Sequence, residues 1–581
     1  MRQRLFLRSS IVLLLLLAGR PALAQAPKPA PESDPETFYE SIDVEVVNVE
    51  VFVTDRRGNR VAGLTKDDFE LFEDGKPVDL TYFYAVGSEI PSLEEPPAEG
   101  TPAAEAAAQA AAPGPDQRLH LAIVFDGLSL TPQGRNRLLQ SIRSAVLPLL
   151  HPSDLTLVAD YRGGGSFEIV QELTSDRAKL ESALAAVEKS VPRGVERATE
   201  WRQLLIDLER ASITTSGQAD ITDSSRMFAS SLYGSIVQYG QQRYDEARTT
   251  LEALGGFVDS LSGLPGRKAL LYVGGGLSVR PGQALLQAWQ TKLPELMEDA
   301  GASPLDMFGD SLTPKLRQLT ERANANRVTF YTLGSTELPG LGADSPGGFA
   351  WTAEMQNTER LNLSESLDRL ASDTGGLSAV DLVDPRTILN RMRDDFDSYY
   401  SLGYVPQRRR DGKSRPIQVK VRNRDLVVRH RTAHRERTSA ERMTDHTLAA
   451  LLLGGGAQEN PLEVSLELVK ETRGKDGRIQ LDLVVKFPLA KLVLLPREQF
   501  HEARATIYVA SRDGKGRVSP VQKIDIPFRV PNDQLLTALG QTAGYKTSLL
   551  LRAEEHILAV GVRDELGHVE AATTARYKPG V

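Results

Sequence analysis

A chain of 581 residues with 41 % hydrophobic and 25 % charged side chains is longer than one hydrophobic core supports, and about three or four domains are expected. Its formal net charge of −8 lends no overall cationic character, so nucleic acid is not an expected partner. The absence of cysteine excludes disulfides, thiolate metal sites and a lipidated cysteine, so an exported chain of this kind must rely on large cores.

Residues 1–24 have the pattern of a secretory signal peptide. Arg2, Arg4 and Arg8 precede the apolar run Ile11-Val-Leu-Leu-Leu-Leu-Leu-Ala18, and Ala22-Leu-Ala24 supplies small residues for cleavage. The run is shorter than the roughly 20 residues that span a bilayer, and no later segment qualifies. The mature chain is therefore expected to start near Gln25, to be periplasmic or extracellular, and to lack a transmembrane segment. A Pro-rich leader occupies residues 25–39. Residues 40–87 predict a small β module: alternation over 42–54 marks a half-buried strand, and Asp74-Gly75 a hairpin turn between strands at 69–73 and 78–86. Residues 88–116, rich in Pro, Ala and Glu, read as a linker.

From 117 to 437 strand and helix patterns alternate, which predicts an α/β domain with a doubly wound, mostly parallel sheet. Strands are expected at 119–125, 155–161, 268–273, 327–333 and 376–380. Helices are expected at 133–150, 175–189, 239–261, 312–324, 363–374 and from 385 to about 397. Residues 190–229 fit neither pattern well. Strands at 399–405, 417–421 and 425–430 are expected as an antiparallel extension of this domain. A hinge is expected at 438–460, and the short, turn-separated strand patterns of 461–581 predict a β sandwich.

Asp126 closes the first buried strand and leads into Gly127-Leu-Ser129-Leu-Thr131, and a parallel sheet offers its ligand groups at such a carboxyl edge. This stretch resembles the first strand and metal loop of von Willebrand factor A domains, in which Asp-x-Ser-x-Ser presents a carboxylate and two hydroxyls to a divalent cation. The motif Val61-Ala-Gly-Leu-Thr-Lys-Asp-Asp-Phe-Glu-Leu-Phe-Glu-Asp-Gly75, then Phe125-Asp126, then Tyr400-Ser-Leu-Gly-Tyr404 with a Gly412-Lys413 turn are together similar to VWFA-related proteins of the acidobacterial type, over residues 40–435. The terminal sandwich resembles an immunoglobulin-like appendage.

The resemblance implies a von Willebrand A-like sheet, with a second-loop threonine and an aspartate after the fourth strand as further metal ligands. This chain departs from that pattern. Leu128 and Leu130 stand at the serine positions, Gly274-Gly-Gly276 stands where Thr-Asp-Gly is expected, and Thr199, Thr214, Thr215 and Thr222 compete for the threonine. A hard cation needs near-octahedral oxygen ligands, so neither metal nor cofactor is expected. Asp126 is instead expected to order its own loop or cap the next helix.

The glycine runs Gly163-Gly-Gly165 and Gly274-Gly-Gly276 match no phosphate loop, and His430 and His434 sit in strand-like surroundings without the glutamate of a zinc-protease helix. The expected role is that of a non-catalytic protein-interaction or scaffold protein for a protein partner in the envelope or outside the cell. Asp126, Ser129, Thr131, Gly274 and Gly275 would lie on its contact edge. An alternative is an envelope-associated binder of anionic lipid or polysaccharide through the basic hairpin at Arg408, Arg409, Arg410 and Lys413. A second alternative is a hydrolase whose nucleophile and base no motif nominates.

Overall fold

The structure is a computed structural model that describes residues 47–87, 119–215, 222–264, 266–297, 311–336, 350–381, 385–406, 413–435, 438–453, 460–474, 477–514 and 516–580. The expected signal peptide, the Pro-rich leader, the linker, and Arg408, Arg409 and Arg410 lie outside the described residues.

Alternation along β1 (Val47–Thr54) buries Val47, Val49, Val51 and Val53, as the two-residue period of a strand requires. β2 (Phe69–Glu73) turns through Asp74 and Gly75, both at positive φ, into β3 (Lys76–Val78). That is the left-handed pair a tight hairpin demands. The return arm is shorter than residues 78–86, because the chain then crosses to a second sheet as β4 (Tyr82–Val86).

The α/β domain follows. Its elements are β5 (Leu119–Asp126), α1 (Pro132–Ala145), β6 (Leu155–Tyr161), β7 (Glu168–Thr174), α2 (Arg177–Lys189), α3 (Gly194–Thr215), α4 (Asp223–Leu261), β8 (Arg267–Gly274), α5 (Gln283–Lys292), α6 (Thr313–Ala325), β9 (Val328–Gly334), α7 (Ala350–Ser372), β10 (Ser378–Val380) and α8 (Arg386–Asp397). The sheet order is β10-β9-β8-β5-β6-β7, parallel throughout except for β7. The chain is therefore mixed α/β, with one mostly parallel sheet and several antiparallel ones. β5 and β8 are buried along their whole length, which explains their central apolar runs, Leu121–Phe125 and Ala269–Val273.

Helices cover both faces of this sheet around two cores. The described residues of the unassigned segment 190–229 include α3 and the start of α4. These pack with α5 and Met355 of α7 in a third, purely helical core around Trp201 and Trp289. α4 has 39 residues, about 58 Å of helix. Its first half belongs to the helical core and its second half, from Ala247 to Leu261, to the sheet core.

β11 (Tyr399–Tyr404), β12 (Ser414–Val421), β13 (Val427–His430) and β14 (Ala433–Arg435) do not extend the α/β sheet. β11 and β13 flank β1, and β12 pairs with β2, giving two four-stranded sheets, β13-β1-β11-β4 and β14-β12-β2-β3. The N-terminal module is thus half of a sandwich that residues 399–435 complete, and the α/β domain is inserted between the halves. The two quoted motifs meet here. The Tyr400 hydroxyl donates to Val61 O at 3.0 Å and accepts from Leu64 N at 3.1 Å, and the Tyr404 hydroxyl donates to Glu73 Oε1 at 2.8 Å.

The expected hinge is a helix, α9 (Ser439–Leu453). Thr438 Oγ1 accepts from Glu441 N at 3.2 Å while Glu441 Oε2 accepts from Thr438 N at 2.9 Å, a reciprocal capping box. Ala449 joins the α/β core, and Ala450 and Leu451 pack on Ala510, Ala559 and Ala572 of the last domain. A segment buried on both sides does not act as a hinge.

The last domain comprises β15 (Ser465–Arg473), β16 (Arg478–Pro488), β17 (Leu495–Pro496), β18 (Phe500–Asp513), β19 (Gln522–Pro531), α10 (Leu535–Leu539), β20 (Thr542–Arg552), β21 (His556–Asp564) and β22 (Glu570–Tyr577). Sheet β15-β16-β20 faces a second sheet of β17, β18, β19, β21 and β22 across one apolar core.

Candidate functional site

The strand order reverses between β5 and β8, and in open α/β sheets ligands bind outside the carboxyl ends of the strands at such a point. Asp126 ends β5 and Gly274 ends β8. Asp126 is 1 % exposed, and both of its oxygens are engaged. Oδ1 accepts from Leu128 N at 3.1 Å and Ser129 N at 3.3 Å, and Oδ2 accepts from the Tyr272 hydroxyl at 2.7 Å. The local reason is register. Val124 lies opposite Tyr272, so Asp126, two residues further on, projects from the same face and the phenol reaches up to it. Burial and the adjacent carboxylate push the Tyr272 hydroxyl well above its ordinary pKa, so it remains a donor.

Leu128 and Leu130 anchor the loop by packing into opposite faces of the sheet. Ser129 Oγ donates to Asp126 O at 3.3 Å and accepts from Gly275 N at 2.8 Å, tying the two edge loops together. Thr131 is the N-cap of α1, its Oγ1 accepting from Gly134 N at 3.0 Å. Gly274 and Gly275 are buried. α3 is pinned over this corner: Arg193 N donates to Gly127 O at 2.7 Å and Gly194 N to Leu130 O at 3.0 Å. A Cβ at Gly194 would strike the Leu130 carbonyl. Of the five expected edge residues, Ser129 and Gly275 border a cavity, and Thr131 holds a helix end.

This donor set does not fit a divalent cation. Both oxygens of Asp126 already accept internal hydrogen bonds, the adjacent buried carboxylate of Asp160 is taken by Arg162 at 2.8 Å, and the loop otherwise offers leucine side chains and glycine backbone. Among the described residues no group of three or more His, Asp or Glu side chains could hold a metal.

Beside Asp126, under α3 and α4, lies a cavity of about 70 Å³. Arg197 and Trp201 of α3, Tyr239 and Arg243 of α4, Ser278 after β8, and Glu359 of α7 contribute to its wall. Arg197 pairs with Glu246 at 3.0 Å, and Arg243 with Glu246 at 3.0 Å and Glu200 at 3.2 Å. Glu359 is 5 % exposed; burial pushes its carboxyl up to about 7, against the opposing pull of Ser278 and Asn362. Sequence patterns did not single out any of these six residues, since each lies at ordinary helical or loop spacing.

Several arginines of the basic block pair within the fold, while Lys420, Arg422 and Arg424 are exposed. Arg429 makes a bidentate pair with Asp395 at 2.6 and 2.9 Å. Arg431 donates to Asn324 O at 3.1 Å and Asn48 O at 2.7 Å, and Arg415 lies 3.7 Å from Asp74. Lys413 is exposed. His430 Nε2 accepts from Val419 N at 3.1 Å, and burial lowers His434 to about 3, so both imidazoles are neutral strand residues. His151 Nδ1 lies 2.7 Å from Ser153 Oγ, but the same nitrogen also accepts from Ser153 N at 3.2 Å, and Asp154 takes the backbone N–H of His151 at 2.9 Å. That group closes an exposed turn and forms no relay.

No protein-family model matches the chain, and no curated protein matches it. Among solved structures it is similar to the X-ray structure of the structural-genomics target SoR45, at 15 % identity over 20 % of this chain and 84 % of that one, with a TM-score of 0.14. It is also similar to the crystal structure of Bacteroides uniformis beta-glucuronidase, at 10 % identity over 34 % of this chain and 20 % of that one, again with a TM-score of 0.14. Likeness at that level carries neither a fold nor a function to this chain. Among the described residues no helix is long and apolar enough to cross a membrane.

Proposed function

We propose that this is an exported, non-catalytic protein-interaction or scaffold protein, built on a von Willebrand A-like domain whose cation site has become a closed hydrogen-bonded corner. The single observation that carries the reading is Asp126, whose carboxylate is engaged by Tyr272 and its own loop amides. The sheet order, with its reversal between β5 and β8, supports the von Willebrand A-like part. A scaffold role is supported by the joints between domains. Arg429–Asp395 links the first sandwich to the α/β domain, Arg512 pairs with Glu172 at 2.8 Å across to the immunoglobulin-like sandwich, and α9 is buried between those two domains. Arg408, Arg409 and Arg410, on which the anionic-surface alternative rests together with Lys413, lie outside the described residues, and no observation among the described residues favours that alternative.

The test compares magnesium with chelator. A cation held in the native state at a hundred times its Kd adds about 2.7 kcal/mol, so an intact site would raise the unfolding midpoint measurably. The midpoint is expected to be the same with magnesium and with EDTA, and the immobilised mature chain is expected to retain the same envelope partner in both. A magnesium-dependent midpoint, or a partner lost in chelator, overturns the reading.

A further inference from the structure

An edge strand presents unpaired backbone N–H and C=O groups to any extended chain that reaches it, and proteins close such edges with charge, proline, bulges or very short strands. The other outer strands among the described residues are closed in that way. β3, β17 and β19 contain proline, β7, β13, β15, β20 and β22 carry charged side chains, and β10 and β14 are three residues long. β4 differs. Among the described residues it pairs with β11 alone, and its sequence Tyr82-Phe-Tyr-Ala-Val86, preceded by Thr81 and followed by Gly87, holds neither charge nor proline.

The side chains of β4 divide between two faces. Phe83 turns into the first sandwich, its ring 5.7 Å from Phe69 and 5.9 Å from Tyr400. Tyr82 and Tyr84, 48 % and 62 % exposed, point to the opposite face, where β11 sets only Gly403 and Ser401 against them. Thr81 and Ala85 are exposed as well.

The occupant of this edge follows from symmetry. Tyr82-Phe83-Tyr84 reads the same in both directions about Phe83. An antiparallel strand laid on β4 with a twofold axis at Phe83 puts Tyr82 of one chain opposite Tyr84 of the other, twice, and pairs Thr81 with Ala85, so aromatic side chains meet and no charges do. The two four-stranded sheets β13-β1-β11-β4 then join edge to edge. The stretch of chain after β4 matches the edge less well, since Pro91, Pro96 and Pro97 lack the N–H that a ladder uses.

We propose that β4 is a self-association edge at which two copies of this chain pair antiparallel about Phe83. The contact belongs to the first sandwich and depends neither on the Asp126 corner nor on the envelope partner proposed above.

The experiment measures the mass of the full mature chain by sedimentation equilibrium from about 1 to 100 µM, together with the double variants Tyr82→Lys/Tyr84→Lys and Tyr82→Glu/Tyr84→Glu, whose folding is checked by circular dichroism. The parent is expected to form a dimer within this range. Each double variant sets like charges opposite one another and is expected to raise the dimer dissociation constant about tenfold or more. An equimolar mixture of the two variants sets lysine opposite glutamate at both positions and is expected to restore a dimer, a recovery that damage to the monomer fold does not give. A parent that stays monomeric, double variants that dimerise like the parent, or a mixture that stays monomeric would each overturn the proposal. A monomeric parent whose envelope partner is lost in the lysine variant would assign the edge to a foreign strand and overturn it as well.

Discussion

Asp126, at the carboxyl end of β5, and Glu359, on α7, are both buried carboxylates, and the fold completes them differently. Asp126 accepts from two loop amides and a tyrosine hydroxyl, whereas the carboxyl of Glu359, met by the Ser278 and Asn362 side chains, is still pushed up to about 7 by burial. A third, Asp395, is held by Arg429 on two sides and by the Tyr331 hydroxyl at 3.2 Å. The contrast teaches that a carboxylate at a ligand-binding edge is informative only when its partners are counted. Asp126 is internally saturated, and Glu359, whose partners do not offset its burial, sits on a helix that no motif marks.

The comparison is broken most severely at Asp395. Asp395→Ala leaves Arg429 buried without its counter-charge and is expected to cost about 3–5 kcal/mol, read as a lower denaturation midpoint. A loss near zero would mean that the joint between sandwich and α/β domain does not depend on this pair.

The next effect belongs to Glu359 and is a pH dependence. Its carboxyl is raised from 4.5 to about 7 in the folded chain, so the native state binds the extra proton between those values. Stability from this group is complete below pH 4.5 and falls as pH rises toward 7, by about 3 kcal/mol in total. Glu359→Gln should flatten that slope and leave the variant more stable than the parent at pH 8. An unchanged slope in denaturant titrations across pH would show that burial does not raise the Glu359 carboxyl.

Asp126→Ala comes third. It strips the acceptor from the Tyr272 hydroxyl and two loop amides, at an expected cost of about 1–3 kcal/mol; the loss should be equal in magnesium and in EDTA. A loss seen only in magnesium would restore a metal site. The smallest effect is at Thr131. Thr131→Ala removes the N-cap of α1 and should cost about 1 kcal/mol without altering partner capture, whereas lost capture at unchanged stability would return Thr131 to the contact edge.

Much of the fold was legible because its signals are local. The alternation of β1, the apolar runs of β5 and β8, and the turn signals of the last sandwich each lie within one element. β7 escaped because Glu168–Thr174 is an edge strand with partly buried residues throughout, so neither alternation nor an apolar run marks it. The capping box at Thr438 and Glu441 was present in the sequence and argued against a hinge. The Tyr272–Asp126 bond had only a weak signal, a tyrosine in a buried strand, which is interpretable once the register with β5 is known.

The sequence by itself determined most of the strands and helices, though not β7, α3 or α9, and it placed Asp126 at a strand end followed by leucines. Those facts depend on neighbours two to four residues away, which every stretch of chain carries with it. Only the tertiary structure decided that β1 pairs with strands about 350 residues later, that a phenol closes the Asp126 corner, and that α3 and α4 roof a polar cavity. These follow from which buried surfaces meet, and local periodicity contains no information about distant partners.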